Sequence, residues 1–193
     1  MFKYAIVGLE RIGKTTLVHH ICSQLSGAGI EYAMLPEITM LNPALNLTNL
    51  NVQLGLLFQQ MSNESFITST AYKDVYITDR TMIDIIPYIA MLNDGIPKYL
   101  MELALAWATT FKCIYLIKSV PVDKRSRINK HYVLQDEIDR PIREKYLTTI
   151  MARIINTKSA DVKIHSLESN YSNFYEISAR IFTNIIYDTR ESR

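Results

Sequence analysis

The stretch Gly8-Leu9-Glu10-Arg11-Ile12-Gly13-Lys14-Thr15-Thr16 follows a short apolar run, Tyr4–Val7, and opens a segment with helical periodicity. Gly8 to Thr15 fit the spacing GxxxxGK[ST] without a gap. Glycines let a chain turn back on itself and present successive N–H groups to an anion. The lysine of such a loop neutralises β- and γ-phosphates, and the hydroxyl after it can hold Mg²⁺. The helix that follows points its positive N-terminal end at the same anion. Gly8, Gly13, Lys14, Thr15 and Thr16 are therefore predicted to bind the phosphates of ATP, with Thr15 also a ligand of Mg²⁺.

A loop of this kind sits between a buried strand and a helix, and the rest of the chain repeats that alternation. Apolar runs at Tyr4–Val7, Tyr32–Leu35, Val75–Thr78, Cys113–Ile117 and Val162–Ile164 read as strands buried on both faces. Helical patterns lie at Lys14–Leu25, Thr48–Met61, Met82–Leu92, Lys98–Thr109, Pro141–Ile155 and Asn173–Ile186. Proline favours a first helical position, so Pro141 predicts a helix start, while Pro87 predicts a kink. The pattern specifies an α/β fold of three layers, a P-loop NTPase fold with a five-stranded parallel sheet and helices on both faces. The 193 residues suit a single domain, with a candidate lid at 119–140.

Ligands of open α/β sheets bind at the carboxyl ends of the strands. Asp79 and Arg80 end the third run there. Asp79 can bind Mg²⁺ or accept a hydroxyl proton, and Arg80 can clamp a phosphoryl group with its planar fork. A strand-end ion pair or a helix cap would use the same residues. Glu37, after the second run, is expected at the same edge from the strand next to the phosphate loop, as a base or an acceptor contact. Gln59 and Gln60, late in the second helix, carry amides able to read a base edge, and Phe58 beside them reads as core. Lys124, Arg125, Arg127 and Lys130 form a basic cluster after the fourth run. A lid carrying Arg125 and Arg127 would neutralise transferring charge and exclude water, and a solvated basic loop is the plainer reading. Arg140 and Arg143 fit either that lid or helix-surface pairs with Asp136, Asp139 or Glu144.

A formal net charge of +2 argues for neither nucleic acid nor membrane. No run is long and apolar enough to span a bilayer, and the N-terminus leads straight into a strand, so the expected location is cytoplasmic. Cys22 and Cys113 read as reduced core residues, and the histidines show no metal-ligand spacing.

Taken together, these stretches resemble the P-loop nucleoside and nucleotide kinases, the group of thymidylate kinases, deoxynucleoside kinases and nicotinamide-riboside-kinase-like domains. Gly8–Thr16 is similar to the thymidylate kinase loop, in which an acidic residue and an arginine precede the second glycine. That resemblance implies that Arg11 faces the transferring phosphate. Ile77–Leu92 resembles the Asp-Arg strand end and helix of these kinases. Asp84 and Tyr88, spaced at four and eight residues beyond Arg80, are closer to the riboside-kinase-like branch and imply that Asp84 contacts substrate. Glu37 stands where the family has an acidic acceptor contact. The stretch Leu57–Ser65 lacks the arginine that thymidylate kinases use to hold an acceptor phosphate.

The expected activity is ATP- and Mg²⁺-dependent transfer to a deoxynucleoside monophosphate, with a nucleoside or nicotinamide riboside as the next acceptor. A hydroxyl of DNA, at a 5′ end or on a modified base, and a regulatory ATPase are the other readings. Asn129-Lys130 lacks the aspartate of a guanine signature. The resemblance also admits a homodimer through the helices at Thr48–Met61 and Met82–Leu92.

Overall fold

The computed structural model describes residues 1–38, 47–70, 72–119, 130–157, 162–169 and 173–191. In chain order they form β1 (Phe2–Val7), α1 (Lys14–Gly27), β2 (Tyr32–Leu35), α2 (Leu50–Thr70), β3 (Val75–Asp79) and α3 (Met82–Leu92). Then come α4 (Lys98–Ala108), β4 (Cys113–Ser119), α5 (Lys130–Asn156), β5 (Lys163–Ser169) and α6 (Phe174–Glu191). The strands make one parallel five-stranded sheet in the order β2-β3-β1-β4-β5. β3 therefore lies between β1 and β2. Glu37 does not come from the strand beside the phosphate loop, as its place in the sequence implied. The strands beside β1 are β3 and β4, because the chain leaves β1, skips a position and returns with β3 to fill it.

Side chains alternate across a strand, and here the alternation builds two cores. Tyr4 and Ile6 of β1 enter the layer made with α1 and α6, beside Leu17, Ile21, Ile181 and Ile185. Ala5 and Val7 enter the opposite layer, with Leu57, Ile83, Ile86, Ala104 and Ile150 of α2 to α5. β4 divides the same way, Ile114 and Leu116 against Cys113, Tyr115 and Ile117. Both cysteines are free and buried, as expected of core residues. α3 packs within this core, with Met82, Ile83 and Ile86 inaccessible to solvent. Ile86→Ala should cost about 2–5 kcal/mol, read by chemical denaturation, because the close-packed layer cannot collapse onto the gap. No described helix is long and apolar enough to cross a membrane.

Some helices depart from the sequence reading. α2 runs to Thr70, well past Met61, although residues 62–70 are poor helix formers. Tertiary contacts override propensity there: the fully buried Glu64 anchors the extra turns from inside. α5 begins at Lys130 and passes through Pro141 rather than starting near it. A proline removes one N–H bond, and side-chain anchors on either side of it, described below, hold the helix. α3 likewise continues across Pro87, supported at its start by a capping box of Thr81 and Asp84.

Candidate active site

The loop after β1 has the backbone that its glycines allow. Gly8 sits at φ +153°, and a Cβ there would meet the Ile117 carbonyl oxygen at 2.5 Å and Ile12 Cδ1 at 2.7 Å. The loop thus lies hard against the end of β4. Gly13 is the opposite case. It caps α1 at φ +85°, and beyond its own chain neighbours no atom of the described residues lies within 4 Å of where its Cβ would be. Gly13 offers no side-chain cap to the leading N–H groups of α1.

Lys14, the first residue of α1, is 4% exposed, and its ammonium donates to the Leu9 carbonyl oxygen of the same loop. Burial, reinforced by the nearby Arg80 charge, pulls its pKa down to about 8, against the pull of Asp84, Asp79 and Glu37.

Asp79 ends β3, 2% exposed. Burial raises its pKa, and a hydrogen bond from the Thr15 side chain together with Lys14 opposes the rise. Its Oδ1 has no hydrogen-bond partner among the described residues. A buried carboxylate oxygen left over beside a threonine hydroxyl is a fit donor set for Mg²⁺, which takes one or two protein oxygens and completes its shell with phosphates and water. Among the described residues no group of three or more His, Cys, Asp or Glu could hold a metal ion.

Arg80 follows with φ 72°, a left-handed conformation rare for a side chain of its size. Backbone bonds pin it there. Its N–H donates to the Ile6 carbonyl oxygen at 3.2 Å, and its own carbonyl accepts from Gln60 Nε2 at 3.1 Å. Arg80 Nε lies 3.1 Å from Glu37 Oε2 in an ion pair, though this nitrogen itself makes no aligned hydrogen bond. Lys14, Thr15, Glu37, Asp79 and Arg80 are thus gathered at one sheet edge, as their strand-end positions predicted.

Asp84 is buried but does not stand free to touch a substrate. Its Oδ1 accepts from the Gly8 N–H at 2.7 Å and its Oδ2 from the Thr81 N–H at 2.9 Å. Thr81 in turn caps α3 by accepting from the Ile83 N–H. The carboxylate staples the first glycine of the phosphate loop to the turn after Arg80. Burial raises its pKa to about 6, against Lys14, Arg80 and both N–H groups.

Glu10, whose purpose the sequence does not reveal, accepts from the Tyr88 hydroxyl and from Arg143 Nη2. The Arg143 guanidinium also lies 4.9 Å from the Tyr88 ring centroid, and Arg140 Nη1 donates to the Glu10 carbonyl oxygen at 3.4 Å. Arg140 and Arg143 therefore tie α5 to the phosphate loop, one on each side of Pro141. No local signal could show this, because the partners lie 133 residues apart. Arg143→Ala should destabilise by about 1–3 kcal/mol, read as a drop in melting temperature, because it strips Glu10 of a charged donor.

Of the remaining sequence candidates, Arg11 is exposed at φ 59°, and Thr16 is exposed at the front of α1. Gln59 is exposed, and Gln60 spends its amide protons on Glu64 Oε1 and the Arg80 carbonyl, so it has no donor left for a base. Phe58 is 62% exposed, not core. Lys124, Arg125 and Arg127 lie outside the described residues.

No family model matches the chain, and no curated protein matches it. Among solved structures, a thymidylate kinase from Candida albicans superposes with a TM-score of 0.62 over 97% of this chain and 92% of that one, at 14% sequence identity. The fold is that of the P-loop kinases. The open space at Gly13, the buried Lys14 and the Asp79–Arg80 strand end fall at one edge of the sheet. Every one of them lies on the carboxyl side of β1 or β3.

Proposed function

We propose that the chain transfers the γ-phosphoryl group of ATP to a nucleotide-type acceptor, a deoxynucleoside monophosphate before any other. The observation that carries this is the buried Asp79 carboxylate, one oxygen without a partner, set beside Thr15, Lys14 and Arg80. A loop that only binds a triphosphate has no need of a second, paired cation at its mouth. Arg80, held by Glu37 across 3.1 Å, is placed to take an anionic acceptor in exchange for that carboxylate.

Transfer of this kind asks the protein for position and charge rather than covalent chemistry. Lys14 and the free N–H groups of α1 bind the phosphates and spread their charge. Mg²⁺, bound by Thr15 and Asp79, would supply Lewis-acid neutralisation of the phosphate oxygens. Arg80 orients the acceptor for in-line attack, and Arg11 and the segment carrying Arg125 and Arg127 complete the charge neutralisation. A monophosphate acceptor is already ionised and needs no base. A nucleoside hydroxyl must lose its proton, and Asp79 or Glu37 would take it.

A nucleoside acceptor is the second reading, favoured by the missing arginine in Leu57–Ser65. The experiment is a panel of deoxynucleoside monophosphates, nucleosides and short DNA with γ-labelled ATP. Label should appear first in a diphosphate product. Label in a nucleoside or in DNA instead moves the acceptor, and hydrolysis with no phosphorylated product replaces the kinase with a regulatory ATPase.

A further inference from the structure

At the amino edge of the sheet, the far end of β1 from the phosphate loop, a half-open cavity of 390 Å³ lies between the start of β1 and α2, α4 and the turn into β4. That volume is in the range of small-molecule sites. Its wall carries the Trp107 and Phe111 rings and two cations, Lys3 and Lys112, and no carboxylate among the described residues. Its three threonine hydroxyls have already spent their protons, and Ser65 lines it as well. Thr68 donates to the Glu64 carbonyl oxygen at 2.9 Å, Thr109 to that of Ala106 and Thr110 to that of Trp107, both at 2.8 Å. The threonine oxygens can only accept from a ligand, and that of Thr110 already accepts from Lys3 Nζ at 3.3 Å. The partly exposed Trp107 ring, threonine acceptors for N–H donors and the Lys112 cation together fit a planar heterocycle bearing N–H groups and an anionic substituent.

The same wall is wired to the candidate active site. Lys3 is 7% exposed, packs its ammonium 4.2 Å from the Phe111 ring centroid and 5.0 Å from that of Trp107, and pairs with Glu64 at 2.9 Å. Glu64 is fully buried and also accepts from Trp107 Nε1 at 2.8 Å and Gln60 Nε2 at 3.1 Å. The other amide proton of Gln60 goes to the Arg80 carbonyl oxygen. A buried ion pair is weak support for stability, since hydrophobic groups of similar volume would serve as well. What this one does is fix the side-chain amide that holds the strained Arg80 turn.

We propose that this cavity is a second ligand site, for a nucleotide-like anion, and that its occupancy reaches Arg80 through Glu64 and Gln60. The ring stacks on the Trp107 side, its N–H groups donate to the threonine oxygens, and the anion lies at Lys112. A ligand that draws on Lys3 or Trp107 alters what Glu64 accepts, hence the hold of Gln60 on Arg80. Coupling of this kind is reciprocal. Only the last step rests on Arg80 belonging to a kinase site. The cavity and the Glu64–Gln60 link do not.

Trp107 is the only tryptophan of the chain, so its emission reports on this wall. The full-length protein is titrated without ATP, using deoxythymidine 5′-monophosphate, thymidine and inorganic phosphate in separate arms. The monophosphate should give a saturable change in both wild type and Lys14→Ala. Lys112→Glu and Thr68→Tyr should weaken it about tenfold or more, the loss of one charge-assisted contact or of the space itself. The side-chain amide signals of Gln60, assigned from Gln60→Ala, should move in the same titration. No saturable change, a change lost in Lys14→Ala, or one untouched by both cavity variants overturns the site. An equal response to phosphate alone overturns the stacked ring, and still Gln60 signals in a responding protein overturn the coupling. None of these readouts depends on phosphoryl transfer, so failure here leaves the kinase reading standing, and the reverse holds.

Discussion

Lys14→Ala should lower phosphoryl transfer by about 10²–10³-fold, the scale of losing one preorganised charged donor at a reacting centre. It should do so without lowering the melting temperature. The structure separates the two effects. Lys14 is 4% exposed, and burial with the Arg80 charge draws its pKa from 10.5 to about 8. A cation whose folded pKa is depressed costs stability below that pKa, and the cost fades as pH climbs from about 8 toward 10.5. At neutral pH the fold therefore carries a desolvated ammonium that does nothing for folding. Under the proposed function a triphosphate would add its negative charge to that of Asp84, Asp79 and Glu37 and offset the burial cost in the complex. The check is thermal melting beside labelled-ATP turnover for wild type, Lys14→Ala and Lys14→Arg. Lys14→Arg should retain stability but not full rate, because a planar fork cannot occupy the place of a point charge. A variant that melts several degrees lower and loses activity in step would mean that Lys14 is structural, and the assignment would fail.

Much of this was legible in the sequence because its physics is local. The phosphate loop is contiguous, its glycines answer to backbone geometry, and its lysine and threonine sit at fixed offsets. Strand ends place Glu37, Asp79 and Arg80 at one edge because a parallel sheet has only one such edge. The illegible parts depend on contacts between distant segments. Gln60 looked free to read a base, but its amide is consumed by Glu64 and by the Arg80 carbonyl 20 residues on. Asp84 looked like a substrate contact, but both oxygens are taken by backbone N–H groups, one of them 76 residues away. Glu10 and Arg143 meet across most of the chain. Even strand adjacency lies beyond strand-by-strand reading, since the chain order β1, β2, β3 becomes the spatial order β2-β3-β1. Helix ends failed for a related reason. Residues 62–70 are mostly weak helix formers that the buried Glu64 holds in place, and α5 runs through Pro141 with Arg140 and Arg143 anchored on either side of it.

Binding of a non-hydrolysable ATP analogue should be tightest between about pH 6 and pH 8 and weaken on both sides. The alkaline limb belongs to Lys14, which must carry its proton to meet the phosphates. Above about 8, affinity should fall by up to about tenfold per pH unit. The acid limb belongs to Asp84, whose pKa burial raises to about 6. As carboxylate it accepts from Gly8 N–H and Thr81 N–H at once. Once protonated, it must aim a donor at one of those donors, and the staple on the phosphate loop opens. Folding responds with the opposite sign. A carboxyl whose folded pKa is raised from 3.8 to about 6 contributes stability below 3.8 and loses it as pH rises through 6. Asp84 thus grips the loop best in the pH range where its burial costs the fold most, a sign that it is kept for the site and not for the core. Asp84→Asn separates this limb from ionisation of the ligand itself. The amide retains one acceptor and turns its NH₂ toward the other N–H, so affinity should drop by about 1–3 kcal/mol across the range and the acid limb should flatten. Isothermal titration at half-unit pH steps reads both. Wild-type affinity with an intact acid limb in Asp84→Asn would assign that limb to the ligand and strip Asp84 of this role.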